Sequence, residues 1–137
     1  MRAVTLPPEL ADRYHPVPYV GGELADLFAA ADVVISRSGA GTVSELTAIG
    51  KPSVLIPLIP TGGDEQRKNA GYLASAGAAR ALLEPNPTAE MLLAELMPLL
   101  ADPGLRQAMG QAAAKLGRLD AADALCDLLL RAAHYAP

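Results

Sequence analysis

The segment Arg37-Ser38-Gly39-Ala40-Gly41-Thr42-Val43-Ser44-Glu45 joins an apolar run to a helical pattern. Ser38 and Thr42 supply hydroxyl donors. Gly39 and Gly41 permit positive φ and close backbone approach. Unpaired N–H groups at a helix start attract negative charge, so a phosphate is the guest this turn suits. Glu45 follows Thr42 by about one turn of helix. An ionised carboxylate only accepts, and its two oxygens match the two hydroxyls of a ribose diol. A structural role competes for the same residues. Thr42-x-x-Glu45 has the spacing of a capping box, in which hydroxyl and carboxylate satisfy helix donors reciprocally.

A second cluster runs Thr61-Gly62-Gly63-Asp64-Glu65-Gln66-Arg67-Lys68-Asn69-Ala70. Asp64, Gln66 and Asn69 are short polar groups at the start of a helical pattern. An acceptor-only acid and two amides that donate and accept suit sugar hydroxyls. The alternative makes Asp64 an N-cap and Gln66 and Asn69 a solvated face; Arg67 and Lys68 read as solvated. A third loop, Gly21-Gly22-Glu23, offers backbone groups to a planar base, or is a plain turn into a helix. Three such loops at one sheet edge describe a nucleotide-sugar site better than any one of them alone.

Several chemistries are disfavoured. The turn lacks the lysine of a phosphate-binding P-loop. It reads G-x-G-x-x-S, and no acid ends the next strand at Ile56–Pro60, against a dinucleotide fold. Net charge is −4, aromatic residues are 4% and there is no Trp, so no nucleic-acid partner is expected. His15 and His134 lie far apart, and Cys126 is the single cysteine, so no metal site or cofactor is expected. Cys126 sits in "DALCDLLL" and reads as a small core residue. The start "MRAVTLPPEL" has no apolar signal core, and no apolar run reaches the ~18 residues of a membrane span.

The elements that must position these loops are short β-like runs alternating with helices. Strands are expected at Val17–Val20, Val33–Ser36, Ser53–Leu58 and Ala79–Leu83. Helices are expected at Glu23–Ala31, Thr42–Gly50 and Asp64–Gly77. Three more follow: Thr88–Leu100 with Thr88 as cap, Pro103 to about Leu116, and Leu119 to about Ala133. Hydrophobic residues are 51% and charged residues 19% of the 137, enough for one cored domain. Strand-helix alternation implies a parallel α/β sheet, Rossmann-like and doubly wound, with about four strands and C-terminal helices. Six or so strands are usual for such a sheet. The expectation is therefore one partial domain over 1–137, with an uncovered sheet edge able to self-associate.

"ADVVISRSGAGTVSELTAIGKPSVLIPL" followed by "DEQRKNAGYLASAGAAR" resembles the donor-binding C-terminal domain of the MurG family. That family comprises two-domain GT-B transferases that move N-acetylglucosamine from UDP-GlcNAc to lipid I, making lipid II for peptidoglycan without a catalytic metal. The resemblance runs from about Val17 to the C-terminus and is strongest from Ala31 to Ala79. It implies that Glu45 holds the ribose hydroxyls, that Ser38, Gly39 and Ala40 lie beside the diphosphate, and that Thr42 supports the turn. It implies that Gln66, with Asp64 and Asn69 near it, faces the sugar, and that Val20 and Gly21 meet uracil through backbone. The family's acceptor domain and a Gly-Gly-Ser loop have no counterpart here. The catalytic base is expected in that acceptor domain, so no catalytic residue is assigned to this chain, His15 included, and the chain alone is expected to be inactive. The parent is expected in the cytoplasm, peripheral on the inner face of the plasma membrane. Two other functions fit the same residues: the donor subunit of a dolichol-linked GlcNAc transferase or another GT-B enzyme, and a non-catalytic nucleotide-binding or scaffolding remnant.

Overall fold

A computed structural model describes residues 6–58 and 63–134. They fall into two units, Met1–Ala30 and Ala31–Pro137. The first holds a 3-10 helix at Pro8–Arg13 and helix α1 at Leu24–Ala30, neither with a buried residue. Pro8 opens the 3-10 helix, where its absent N–H costs nothing. The strand expected at Val17–Val20 is not formed, and Val17 and Tyr19 are exposed. Pro16 and Pro18 stand two residues apart, so both would strip donors from the same edge of an extended segment.

The second unit holds three parallel strands, β1 Val34–Ser36, β2 Ser53–Leu55 and β3 Arg80–Ala81, in the order β1-β2-β3. The sheet thus has three strands among the described residues where about four were expected. Val34 pairs with Ser53, Ser36 with Leu55, and Leu55 with Ala81. Helix α2, Ala40–Ala48, crosses from β1 to β2, and α3, Glu65–Ser75, crosses from β2 to β3. Two right-handed crossovers stepping the same way put α2 and α3 on one face. Helices α4 (Ala89–Ala101) and α5 (Pro103–Ala114) pack on each other, both reach β2, and α5 also meets α2. Val54 packs with Leu99 and Met109, and Val33, Leu92, Leu96 and Leu105 close around them. Strand alternation turns Ser53 and Leu55 the opposite way. Leu46, Leu55, Leu73 and Leu99 are fully buried, each contributing roughly 2 kcal/mol by removal from water.

The helix stops are local chemistry. Gly50 at φ 63° ends α2, with Lys51 N–H donating to Leu46 O and Gly50 N–H to Thr47 O. Gly77 at φ 69° ends α3 in the same way, through Ala78 to Leu73 and Gly77 to Ala74. Both are Schellman motifs, whose left-handed residue glycine adopts without steric cost. Thr88 caps α4 by accepting from Met91 N–H, as its sequence position implies.

Helix α6, Ala121–His134, has an apolar stripe at Leu125, Leu128 and Leu129, yet every residue from Ala121 to Ala133 is exposed. Cys126 is therefore exposed and not the core residue expected. Amphipathic spacing fixes that a helix has an apolar face; it does not fix what covers it. No described helix is long and apolar enough to cross a membrane.

Candidate functional site

Parallel strands deliver their loops to one edge, the carboxyl ends, where open α/β sheets take ligands. The β1–α2 turn and the start of α3 lie there. Helix α2 begins at Ala40, two residues earlier than the sequence pattern implies, with Gly39 as N-cap. Thr42 is thus the third helical residue and Glu45 the sixth. A capping box needs Thr at the N-cap and Glu three residues on, so the reciprocal cap considered for this pair is not made. No side chain caps α2, and no acidic residue stands in its first turn. The first helical bond is Val43 N–H to Gly39 O. The N–H groups of Ala40, Gly41 and Thr42 precede it and have no acceptor within the helix.

Gly39 sits at φ −63°, and Gly41 is not among the positive-φ residues. Neither glycine is required by a left-handed backbone, contrary to one of the two reasons the sequence suggested. A Cβ built at either position meets nothing within 4 Å. What the two glycines leave is open space above an uncapped helix start. Glu45 lies about 7.5 Å further along the axis from Ala40, at 1.5 Å per residue. Its carboxylate is exposed, and among the described residues nothing hydrogen-bonds or pairs with it.

Ser38 is fully buried. Its hydroxyl donates to Gln66 O at 2.8 Å, and its carbonyl accepts from Asn69 Nδ2 at 3.0 Å. The hydroxyl is therefore committed internally and is not an outward donor; Ser38 ties the α2 turn to α3. These ties also orient both amides. Gln66 Oε1 accepts from Leu58 N–H at 3.0 Å, so its Nε2 donors remain for a guest. Asn69 gives one Nδ2 hydrogen to Ser38, so its Oδ1 remains an acceptor.

Asp64 occupies the N-cap position of α3 but makes no capping bond, and its φ is 54°. It is the only non-glycine residue at positive φ among the described ones. Its Oδ1 is buried without a hydrogen-bond partner among the described residues, 3.7 Å from Arg67 Nε. The Arg67 guanidinium is the charge this oxygen faces among the described residues, and aspartate is one of the few residues that visit the left-handed region routinely. Lys68 Nζ donates to Gly63 O at 3.3 Å. Thr61 and Gly62 lie outside the described residues. Val20 and Gly21 belong to the first unit, where Gly21 O accepts from Leu24 N–H at 3.3 Å.

Two features escaped the sequence. Arg37, exposed at the end of β1, donates through Nη1 to Ile56 O and Pro57 O. A basic residue directly after an apolar strand and before the Ser-Gly turn was its only signal. A cleft of about 400 Å³ runs between α2 and α3, lined in part by Ala40, Val43, Asn69, Tyr72 and Leu73, and so borders the same turn. Among the described residues no three His, Cys, Asp or Glu side chains gather into a metal-binding group.

At one sheet edge the parallel α/β layer thus gathers an uncapped helix start, a free carboxylate one and a half turns on, and two oriented amides. Comparison with known proteins gives the family. Residues 7–125 match the glycosyltransferase family 28 C-terminal domain, and the chain belongs to that family. It is 50% identical over 112 residues to the UDP-N-acetylglucosamine–N-acetylmuramyl-(pentapeptide) pyrophosphoryl-undecaprenol N-acetylglucosamine transferase of Rhodopseudomonas palustris (strain BisB5), covering 82% of this chain and 31% of that protein. The equivalent transferase of Nitrobacter hamburgensis is 45% identical over 122 residues, 84% of this chain and 33% of that one. Among solved structures, Acinetobacter baumannii MurG matches with a TM-score of 0.75 at 30% identity, over 84% of this chain and 34% of that chain. The chain thus spans about a third of the length of the curated relatives it matches.

Proposed function

We propose that this chain is the donor-binding half of a MurG-type inverting N-acetylglucosaminyltransferase and that it recognises UDP-GlcNAc. The observation that carries the reading is the start of α2: three N–H groups, no side-chain cap, and no Cβ in front of them. A diphosphate placed there meets a positive dipole end and unsatisfied donors. Ala40 and Thr42 frame that position, Glu45 takes the ribose diol, and Gln66, Asn69 and Asp64 take the sugar. Val20 and Gly21 are assigned to uracil on the resemblance alone.

In the parent reaction a hydroxyl of lipid I attacks the anomeric carbon and UDP departs. Negative charge builds on the departing diphosphate, where fixed backbone donors stabilise it without rearranging. The acceptor, the base and the lipid contact belong to the portion of the relatives outside this chain. The substrate named for these relatives carries an undecaprenol, which supports a parent held at the cytoplasmic membrane face.

The test is calorimetric titration of the chain with UDP-GlcNAc, UDP and ADP, repeated with Glu45→Ala. Uridine-selective binding weakened at least about tenfold by the substitution is expected, the scale of a lost charge-assisted hydrogen bond. Equal heats for UDP and ADP, or binding indifferent to Glu45, would sink the assignment.

A further inference from the structure

Arg37 directly follows β1 and precedes the buried Ser38. Its Nη1 donates to Ile56 O at 3.0 Å and to Pro57 O at 3.1 Å. Those carbonyls belong to the segment that leaves β2. Ile56 N–H still bonds Ser36 O at 2.8 Å, but Pro57 has no N–H to continue the ladder. The next donor, Leu58 N–H, goes to Gln66 Oε1. Gln66 O in turn accepts from Ser38 Oγ. A ring of bonds therefore closes from Arg37 through Ile56, Pro57, Leu58 and Gln66 to Ser38, its own chain neighbour.

We propose that Arg37 is a positioning residue for the donor site. It fixes the exit of β2, and through Leu58 it holds the Gln66 amide so that Nε2 faces the sugar of a bound nucleotide-sugar. This rests on the nucleotide-sugar reading above. A guanidinium bonded to two neutral carbonyls makes charge-assisted bonds without neutralising its charge, so direct attraction of the diphosphate is the competing role. The two roles separate by ligand. Positioning through Gln66 acts on the sugar and spares UDP; attraction of phosphate acts on both alike.

The experiment compares wild type, Arg37→Met and Arg37→Lys. In Arg37→Met, UDP-GlcNAc affinity is expected to fall about tenfold while UDP affinity stays within about twofold. Arg37→Lys should restore only part, because an ammonium keeps the charge and loses the planar fork. Equal losses for the two ligands, or full rescue by lysine, overturn the positioning role. Amide hydrogen exchange reads the ring without any ligand. Leu58 N–H should exchange about tenfold faster in Arg37→Met, while Ala70 and Leu73 in α3 keep their rates. Unchanged exchange at Leu58 overturns the proposal. A wild-type chain that binds neither nucleotide counts against the donor reading, and the exchange result then decides the ring.

Discussion

Glu45 and Glu90 are both exposed helical glutamates, and their surroundings give them opposite jobs. Glu45 stands in the sixth position of α2 with no partner among the described residues. Replacing it with alanine removes no contact and improves helix propensity slightly, so stability should stay within about 0.5 kcal/mol. A thermal melt checks this, and it separates the ligand role from a cap, whose loss costs about 1 kcal/mol. Glu90 lies in the first turn of α4, where a backbone hydrogen bond and then the Thr88 hydroxyl hold its carboxyl below the usual value of 4.5. A carboxyl depressed on folding stabilises above its unfolded pKa, and that contribution is lost as pH falls through the lower folded pKa. Wild type should therefore exceed Glu90→Gln in urea midpoint at neutral pH, and the gap should close as pH drops below 4.5. A gap that persists unchanged in acid would show that the charge is irrelevant. Thr88→Ala, which removes the observed bond to Met91 N–H, should cost about 1 kcal/mol.

Elements meet at two distances in this fold, and glycine marks the close one. A Cβ on Gly110 of α5 would stand 2.6 Å from Gly50 O, while one on Gly77 meets nothing within 4 Å. Gly110→Ala must push α5 off the end of α2, an overpacking cost of about 2 kcal/mol. Gly77→Ala pays only for a left-handed alanine, about 1 kcal/mol. Chemical denaturation of the two variants should rank them in that order; equal costs would mean that α5 shifts freely. The Schellman stops at Gly50 and Gly77 were legible in the sequence because glycine after an apolar periodic run is a local signal. So was the cap at Thr88. The start of α2 was not, because Thr42-x-x-Glu45 imitates a box while the helix begins at Ala40 behind a glycine. The strand expected at Val17–Val20 failed for a related reason: "VPYV" has strand-forming residues, but the donors a ladder needs are missing at Pro16 and Pro18. At the candidate site, residue types and order were readable. Which amide atoms and hydroxyls the protein keeps for itself was not. Gln66 and Asn69 lie 28 and 31 residues from Ser38 in sequence, and only the folded approach of α3 to the α2 turn makes them its partners.

For the whole molecule, many apolar side chains of the described residues are uncovered, those of α4 at Leu93, Met97 and Leu100 among them, and two groups are placed to drive association. Leu125, Leu128 and Leu129 of α6 are 56%, 63% and 61% exposed, far more than a helix anchored by its own core would show. β1 is an outer strand of the described sheet, and its Ile35 is 45% exposed. Contiguous exposed apolar surface and open strand edges both favour association. Sedimentation velocity across concentration should show larger species as the chain is concentrated. Removing residues 121–137 separates the two sources. Because α6 buries none of its residues from Ala121 to Ala133, the truncated chain should keep its denaturation free energy within about 0.5 kcal/mol. Association that disappears with α6 belongs to the leucine stripe. Association that survives truncation, and is then lost when Ile35 is replaced by lysine, belongs to the β1 edge, since a charge on an edge strand blocks further pairing. A truncated chain that loses several kcal/mol would instead mean that α6 packs on this unit in solution, and the exposure of its leucines would have to be abandoned as the cause.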